Sequence, residues 1–134
     1  QIDQLRPNYA AAGADAEPPP SVEDTAQAFA AADLVICRAG ASTVTEIAAV
    51  GAAAVYVPFP HAVDDHQTTN ARFIDDAGGG RLDQQRDLTG EGLASLIQGT
   101  DRQELLRKAQ AAQTVARTSA TADMVQACEE LAKA

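Results

Sequence analysis

The sequence predicts an α/β layer sandwich built on a parallel sheet, and three observations carry that prediction. Two short runs, Leu34-Val35-Ile36-Cys37 and Ala53-Ala54-Val55-Tyr56-Val57, are apolar without alternation, as strands buried on both faces are. The segments between and after them carry apolar residues at helical spacing, opened by Ser, Thr or Asp and closed by Gly. Helix and strand therefore alternate along the chain, the pattern of a layered fold with parallel strands. Only three or four strands are present, which is a partial sheet for a doubly wound nucleotide-binding domain.

Taken in order, residues 3 to 12 read as the end of a polar helix closed by Gly13. Ala14 to Pro20 falls where a short strand is expected, but Pro18-Pro19-Pro20 cannot donate to a ladder, so an edge strand or plain loop is predicted. Ser21 and Asp24 have the spacing of a helix start, and Val22, Ala26, Phe29 and Ala30 would form the buried stripe of a helix reaching about Ala32. After the first strand, a helix from Thr43 to Gly51 buries Val44, Ile47, Ala48 and Val50. The second strand stops at Pro58 and leads through an irregular loop, 58 to 65, into a helix from about Asp65 to Ala77. Gly78-Gly79-Gly80 ends that helix before a short strand near Arg81-Leu82, and three helices capped by Thr89, Asp101 and Thr121 complete the chain.

With 134 residues the chain makes one domain at most. Aromatics are 4% and Trp is absent, so the core must be aliphatic and closely packed. A net charge of −9 argues against nucleic acid and against an anionic membrane surface as partners. No apolar run approaches the ~20 residues that span a bilayer, and no basic-then-apolar signal opens the chain. Cys37 and Cys128 belong to no close-spaced ligand pair and read as reduced thiols of a cytoplasmic protein. The first residue is Gln, which suggests a fragment whose upstream part is missing.

The chemistry is expected at Cys37 to Glu46, a strand, tight turn and helix. Gly40 would give the turn freedom, and Ala39, Ala41 and Ser42 would let a ligand reach the backbone. Thr43 and Glu46 have capping-box spacing, which would leave backbone N–H groups pointing from the turn toward a phosphate, while Glu46 could accept from a ribose diol. An acid this close to the turn suits a nucleotide diphosphate better than a dinucleotide. Taken alone, the same residues can do no more than cap a helix. A second constellation, Asp65 to Asn70, opens a helix at the same edge of the sheet. There Gln67 and Asn70, three apart, form an amide pair able to donate to and accept from sugar hydroxyls, or are ordinary first-turn residues. His61, Asp64, Asp65 and His66 lack i, i+4 histidine spacing and a distant third ligand, which disfavours a metal site. Arg38 could meet a phosphate or pair with one of the acidic residues.

Together, Ala32-Asp33-Leu34-Val35-Ile36-Cys37-Arg38-Ala39-Gly40-Ala41, Thr43-Val44-Thr45-Glu46, Val57-Pro58-Phe59-Pro60-His61 and His66-Gln67-x-x-Asn70-Ala71 resemble the C-terminal domain of the MurG glycosyltransferases. These bacterial enzymes transfer N-acetylglucosamine from UDP-N-acetylglucosamine to an undecaprenyl-diphosphate-linked muramyl pentapeptide. The resemblance is motif-grade from about residue 21 to 83 and looser beyond. It implies the GT-B arrangement of two Rossmann-like domains. Residues 1–134 would be a truncated C-terminal, nucleotide-sugar-binding domain, a partial Rossmann-like three-layer sandwich without the N-terminal acceptor domain and the first strands.

Carried over by position, the resemblance implies that Ala41, Ser42, Thr43, Val44 and Thr45 wrap the diphosphate and neighbouring sugar. Glu46 would hold the ribose, Gln67 and Asn70 the N-acetylglucosamine hydroxyls, and Val22 would contact uracil through its backbone. It implies an inverting reaction with no cofactor and no metal, and no residue here is assigned as catalytic. The implied partners are UDP-N-acetylglucosamine, the missing N-terminal domain and, through that domain, the lipid-linked acceptor on the cytoplasmic face of the inner membrane. The chain departs from the family at Ser21 and Thr25, where Phe and Met are usual, at Ala53, usually Pro, and in lacking a Gly-Gly-Ser loop. A split transferase needing a membrane partner and a non-catalytic module that has lost the ligand are the alternatives. The open sheet edge is expected to invite self-association.

Overall fold

A computed structural model describes residues 2–61 and 63–133; Ala62, within the predicted loop after the second strand, lies outside them. Three parallel strands, β1 (Val35–Cys37), β2 (Ala54–Tyr56) and β3 (Gly80–Leu82), form a sheet in the order β1-β2-β3. The registers align Val35 with Ala54 and Gly80, Ile36 with Val55 and Arg81, and Cys37 with Tyr56 and Leu82. Helix α3 (Ala41–Val50) joins β1 to β2, and α4 (His66–Asp76) joins β2 to β3. Helices α1 (Ile2–Ala11) and α2 (Thr25–Ala31) precede the sheet, and α5 (Gly90–Gly99), α6 (Arg102–Thr114) and α7 (Ala120–Lys133) follow it.

Side-chain alternation along strands gives the sheet two unequal faces. Val35, Cys37, Ala54, Tyr56 and Leu82 point to one side, where Val44, Ile47 and Ala48 of α3, Ala71 and Ile74 of α4 and Ala112 of α6 close a continuous core. Small residues allow this closeness. A Cβ on Gly79 would lie 2.6 Å from the Cα of Ala112, so the α6 backbone rests directly on that glycine. Tyr56 supplies the largest buried ring, and its edge passes over Gly80, whose added Cβ would meet Cε2 at 2.7 Å. On the opposite face Val55 is covered beside Leu96 of α5 and Leu105 of α6, but Ile36 stays 43% exposed. The unbroken apolar run predicts burial of β1 on both faces; the described residues supply a cover for only one.

Several predicted helix starts shift. Asp24, not Ser21, caps α2, accepting from the Gln27 N–H at 2.8 Å, because the chain is still irregular at Ser21. The predicted α2 stripe also fails: Val22 precedes the helix and is 51% exposed, Ala26 and Ala30 are exposed, and Phe29 alone packs on the core. Helix α7 begins at Ala120, with the Ser119 carbonyl taking the Asp123 N–H, so Thr121 lies inside it. The Thr89 and Asp101 caps stand as expected, each side chain accepting from the backbone three residues on. Gly51 closes α3 in the left-handed region, at φ 76°.

Candidate functional site

The carboxyl ends of β1 and β2 open on the same edge, and the site is built from the two helices that begin there. Helix α3 starts at Ala41, two residues before the predicted Thr43, with Gly40 as its cap residue. Gly40 is extended, φ −63° and ψ 148°, so the turn needs no glycine-only conformation, and an added Cβ would meet nothing closer than Thr43 Oγ1 at 3.8 Å. No side chain caps this end, so the Thr43/Glu46 capping box is not formed. The Val44 N–H is the first to close onto the helix, donating to the Gly40 carbonyl at 3.0 Å. The N–H groups of the preceding turn, Ala41 to Thr43, therefore have no carbonyl behind them, and the aligned peptide dipoles make that end attractive to an anion.

Burial sorts the predicted contacts on α3. Val44 is buried in the core with its N–H already used, so its amide offers no donor at the edge. Ala41, Ser42, Thr45 and Glu46 are exposed, and Thr43 is half-buried. Thr45 Oγ1 donates to the Ala41 carbonyl at 2.8 Å and keeps its lone pairs for another donor. Glu46 stands one turn in from the open end.

The amide pair ties helix α4 to the two turns at this edge, the one before α3 and the one after β2. Asn70 Nδ2 donates to the Ala39 carbonyl at 3.1 Å, joining the second helix to the first turn across 31 residues of chain. Gln67 Oε1 accepts the Phe59 N–H at 2.9 Å, which leaves its NH2 group as a pair of donors. Between the helices lies a cleft of about 220 Å³ lined by Ala41, Val44, Thr45, Thr69, Asn70 and Phe73. Thr69 and Phe73 were not anticipated from the sequence. They lie four apart, flanking Asn70, and the 3.6-residue period carries that signal. Phe73 is 55% exposed, an apolar ring beside an amide and two hydroxyls. Ser42, Thr43, Glu46 and Gln67 stand outside this cleft, and Val22 lies in the loop before α2, lining none of it. Larger hollows between α1 and the loop 16–20 bring together no comparable set of polar groups.

The loop after β2 is held from three sides. Arg38 Nη1 donates to the carbonyls of Val57 at 3.2 Å and Pro58 at 3.0 Å, Nη2 donates to Gln85 Oε1 at 2.7 Å, and the guanidinium lies 5.6 Å from the Phe59 ring centroid. Arg38 thus pairs with backbone carbonyls and an amide, not with an acidic side chain. Phe59 in turn meets His61 edge to face at 5.6 Å. At the start of α4, Asp64 and Asp65 both take left-handed backbone, φ 56° and 51°, a conformation that Asp tolerates better than most residues. Thr68 Oγ1 donates to Asp65 Oδ1 at 2.6 Å and accepts from Gln84 Nε2 at 3.1 Å, which stabilises the turn. No three metal-ligating side chains gather among the described residues.

Under the site, Tyr56 is completely buried, and its hydroxyl meets no partner among the described residues. Burial pushes the Cys37 thiol up to about 11, and burial with the neighbouring thiol pushes the Tyr56 phenol up as well. Both groups remain neutral at physiological pH and belong to the core. Cys128 is an exposed free thiol on α7.

The profile of the glycosyltransferase family 28 C-terminal domain matches residues 3–129. Two relatives carry the name UDP-N-acetylglucosamine–N-acetylmuramyl-(pentapeptide) pyrophosphoryl-undecaprenol N-acetylglucosamine transferase. The protein from Paracidovorax citrulli is 66% identical over 98% of this chain and 37% of its own length. That from a Polaromonas species is 68% identical over 99% of this chain and 34% of its own length. A crystal structure of Acinetobacter baumannii MurG superposes with a TM-score of 0.89 at 43% identity, over 97% of this chain and 38% of that one. The chain spans about a third of the length of the curated relatives it matches.

Proposed function

We propose, starting from the fact that this chain belongs to the glycosyltransferase family 28 C-terminal domain family, that it forms the donor-binding part of an inverting N-acetylglucosaminyltransferase. Its ligand would be UDP-N-acetylglucosamine, the sugar nucleotide in the names of its relatives. The observation that carries the proposal is the Asn70 bond to the Ala39 carbonyl. It sets an uncapped helix end, suited to a diphosphate, beside an amide pair suited to sugar hydroxyls.

In this reading the N–H groups of Ala41, Ser42 and Thr43 take the diphosphate, with the Thr45 hydroxyl nearby. Val44 contributes by seating the helix in the core. Glu46 accepts from the ribose hydroxyls, Gln67 and Asn70 contact the sugar, and the Val22 backbone meets uracil. With a net charge of −9, the local N–H groups have to hold the phosphates against the overall field. Transfer itself needs an acceptor hydroxyl and a base held against the anomeric carbon. We assign both to the part of the longer relatives that this chain does not match, which would make residues 1–134 inactive alone. That part would bring the lipid-linked acceptor at the cytoplasmic face of the membrane; no helix among the described residues is long and apolar enough to cross one.

Calorimetric titration with UDP-N-acetylglucosamine tests the proposal. Binding weakened by Glu46→Ala and by Gln67→Ala supports it, and absence of binding by the folded chain refutes it. The outer edge of β1, beside the exposed Ile36, is proposed to pair with another strand, in a second copy when the chain is alone. Sedimentation showing a monomer at tens of micromolar would exclude that pairing.

A further inference from the structure

The geometry points to Arg38 as a positioning residue that presents the Gln67 amide to the sugar, rather than as a cation for the diphosphate. The inference rests on the donor-site reading above. Its physical basis is a chain of contacts: Arg38 Nη1 to the carbonyls of Val57 and Pro58, the next residue's N–H to Gln67 Oε1, and Gln67 on the first turn of α4. Arg38 leaves β1 at the carboxyl end of the sheet and reaches across to the end of β2.

The planar fork lets one nitrogen hold two successive carbonyls while the other holds Gln85 Oε1 at 2.7 Å. Those bonds, with the Phe59 ring under the guanidinium, fix the peptide plane between Pro58 and Phe59. That plane carries the N–H which decides the orientation of the Gln67 amide. With Oε1 committed to Phe59, the NH2 end is left to face a ligand. A freely rotating amide would present oxygen or nitrogen in turn, so the contact to an acceptor on the sugar depends on this lock. Three of the five guanidinium donors meanwhile are held by carbonyls and an amide, and both Nη1 donors are turned toward the backbone of the loop.

Arg38→Lys separates the two roles, because it keeps the charge and loses the fork. Binding of UDP and of UDP-N-acetylglucosamine is measured by calorimetry in the wild type, Arg38→Lys, Gln67→Ala and the double variant. The expected result is UDP affinity within about twofold of wild type in Arg38→Lys, while UDP-N-acetylglucosamine binding falls roughly five- to tenfold, the worth of one lost hydrogen bond. In the double variant the second change then adds less than about twofold, since both act on one contact. Equal loss for UDP and the sugar nucleotide, or additive losses, would overturn the assignment in favour of a phosphate contact.

A nitrogen-15 NMR spectrum of the ligand-free protein supplies an independent readout. Arg38→Lys should shift the Phe59 backbone amide and the Gln67 side-chain NH2 signals while most of the spectrum stays put. Gln85→Ala, which removes only one arm at the surface, should move the same signals less. If the wild type binds no sugar nucleotide, the donor reading fails on its own, and the lock is judged by these signals: unmoved resonances refute it.

Discussion

Replacing Tyr56 by Phe should make this protein more stable. The ring of Tyr56 is fully buried at the centre of the sheet, and its hydroxyl has no hydrogen-bond partner among the described residues. Burying an unpaired hydroxyl costs about 1–3 kcal/mol, whereas deleting one oxygen leaves a gap worth only a few tenths of a kcal/mol in lost packing. The net expectation is a gain of about 1 kcal/mol. In urea unfolding it would appear as a higher midpoint with an unchanged slope, and in a thermal scan as a rise of roughly 3–5 °C. A control, Tyr56→Leu, should lose about 2–4 kcal/mol, because the ring that passes over Gly80 is then missing. A loss of 1 kcal/mol or more in Tyr56→Phe would refute the reasoning, since it would mean that the hydroxyl is bonded in solution, for instance to an internal water.

Gly79→Ala should cost at least ~2 kcal/mol in the same unfolding assay, because the added methyl meets the Ala112 backbone at 2.6 Å and α6 must lift off; a neutral result would mean that this contact is looser than described. Asp24→Ala should cost about 1 kcal/mol by removing the α2 cap, with helix loss visible by circular dichroism. For Cys37 the folded thiol titrates near 11 against an ordinary 9.0, so its contribution is fully present below pH 9 and is lost as pH rises through 11. Stability should fall over that window with a slope approaching ~1.4 kcal/mol per pH unit, and in Cys37→Ala the fall should begin only where Tyr56 starts to matter, from about pH 10. Iodoacetamide should correspondingly modify the exposed Cys128 well before Cys37.

What the sequence made legible was whatever depends on neighbours a few residues away. The three strands, the helices between them and the left-handed Gly51 follow from apolar runs and punctuation that read locally. The start of α3 was misplaced because the Thr43/Glu46 spacing is satisfied equally by residues already inside a helix. Only the Val44 bond to the Gly40 carbonyl decides the matter. The α2 stripe failed for a different reason: helical spacing says which residues share a face, but α2 has little to bury that face against, and Phe29 alone reaches the core. The contacts that shape the site lie beyond any local pattern. Asn70 meets Ala39 across 31 residues, and Arg38 meets Val57, Pro58 and Gln85 across 19, 20 and 47. A sequence shows that an arginine and two amides are available; only folding shows which carbonyls they find.

The seat of α6 on Gly79 also sets how little of the chain can stand by itself. Ala112 closes the core from a position some thirty residues after the last strand, while α1 and α7 bury none of their described residues. A protease should therefore trim both ends readily and then stall, leaving a resistant body from about α2 to the end of α6. Cleavage that removes α6 should instead release the sheet, and the donor edge with it, because the helix that braces the strands comes from the last third of the polypeptide.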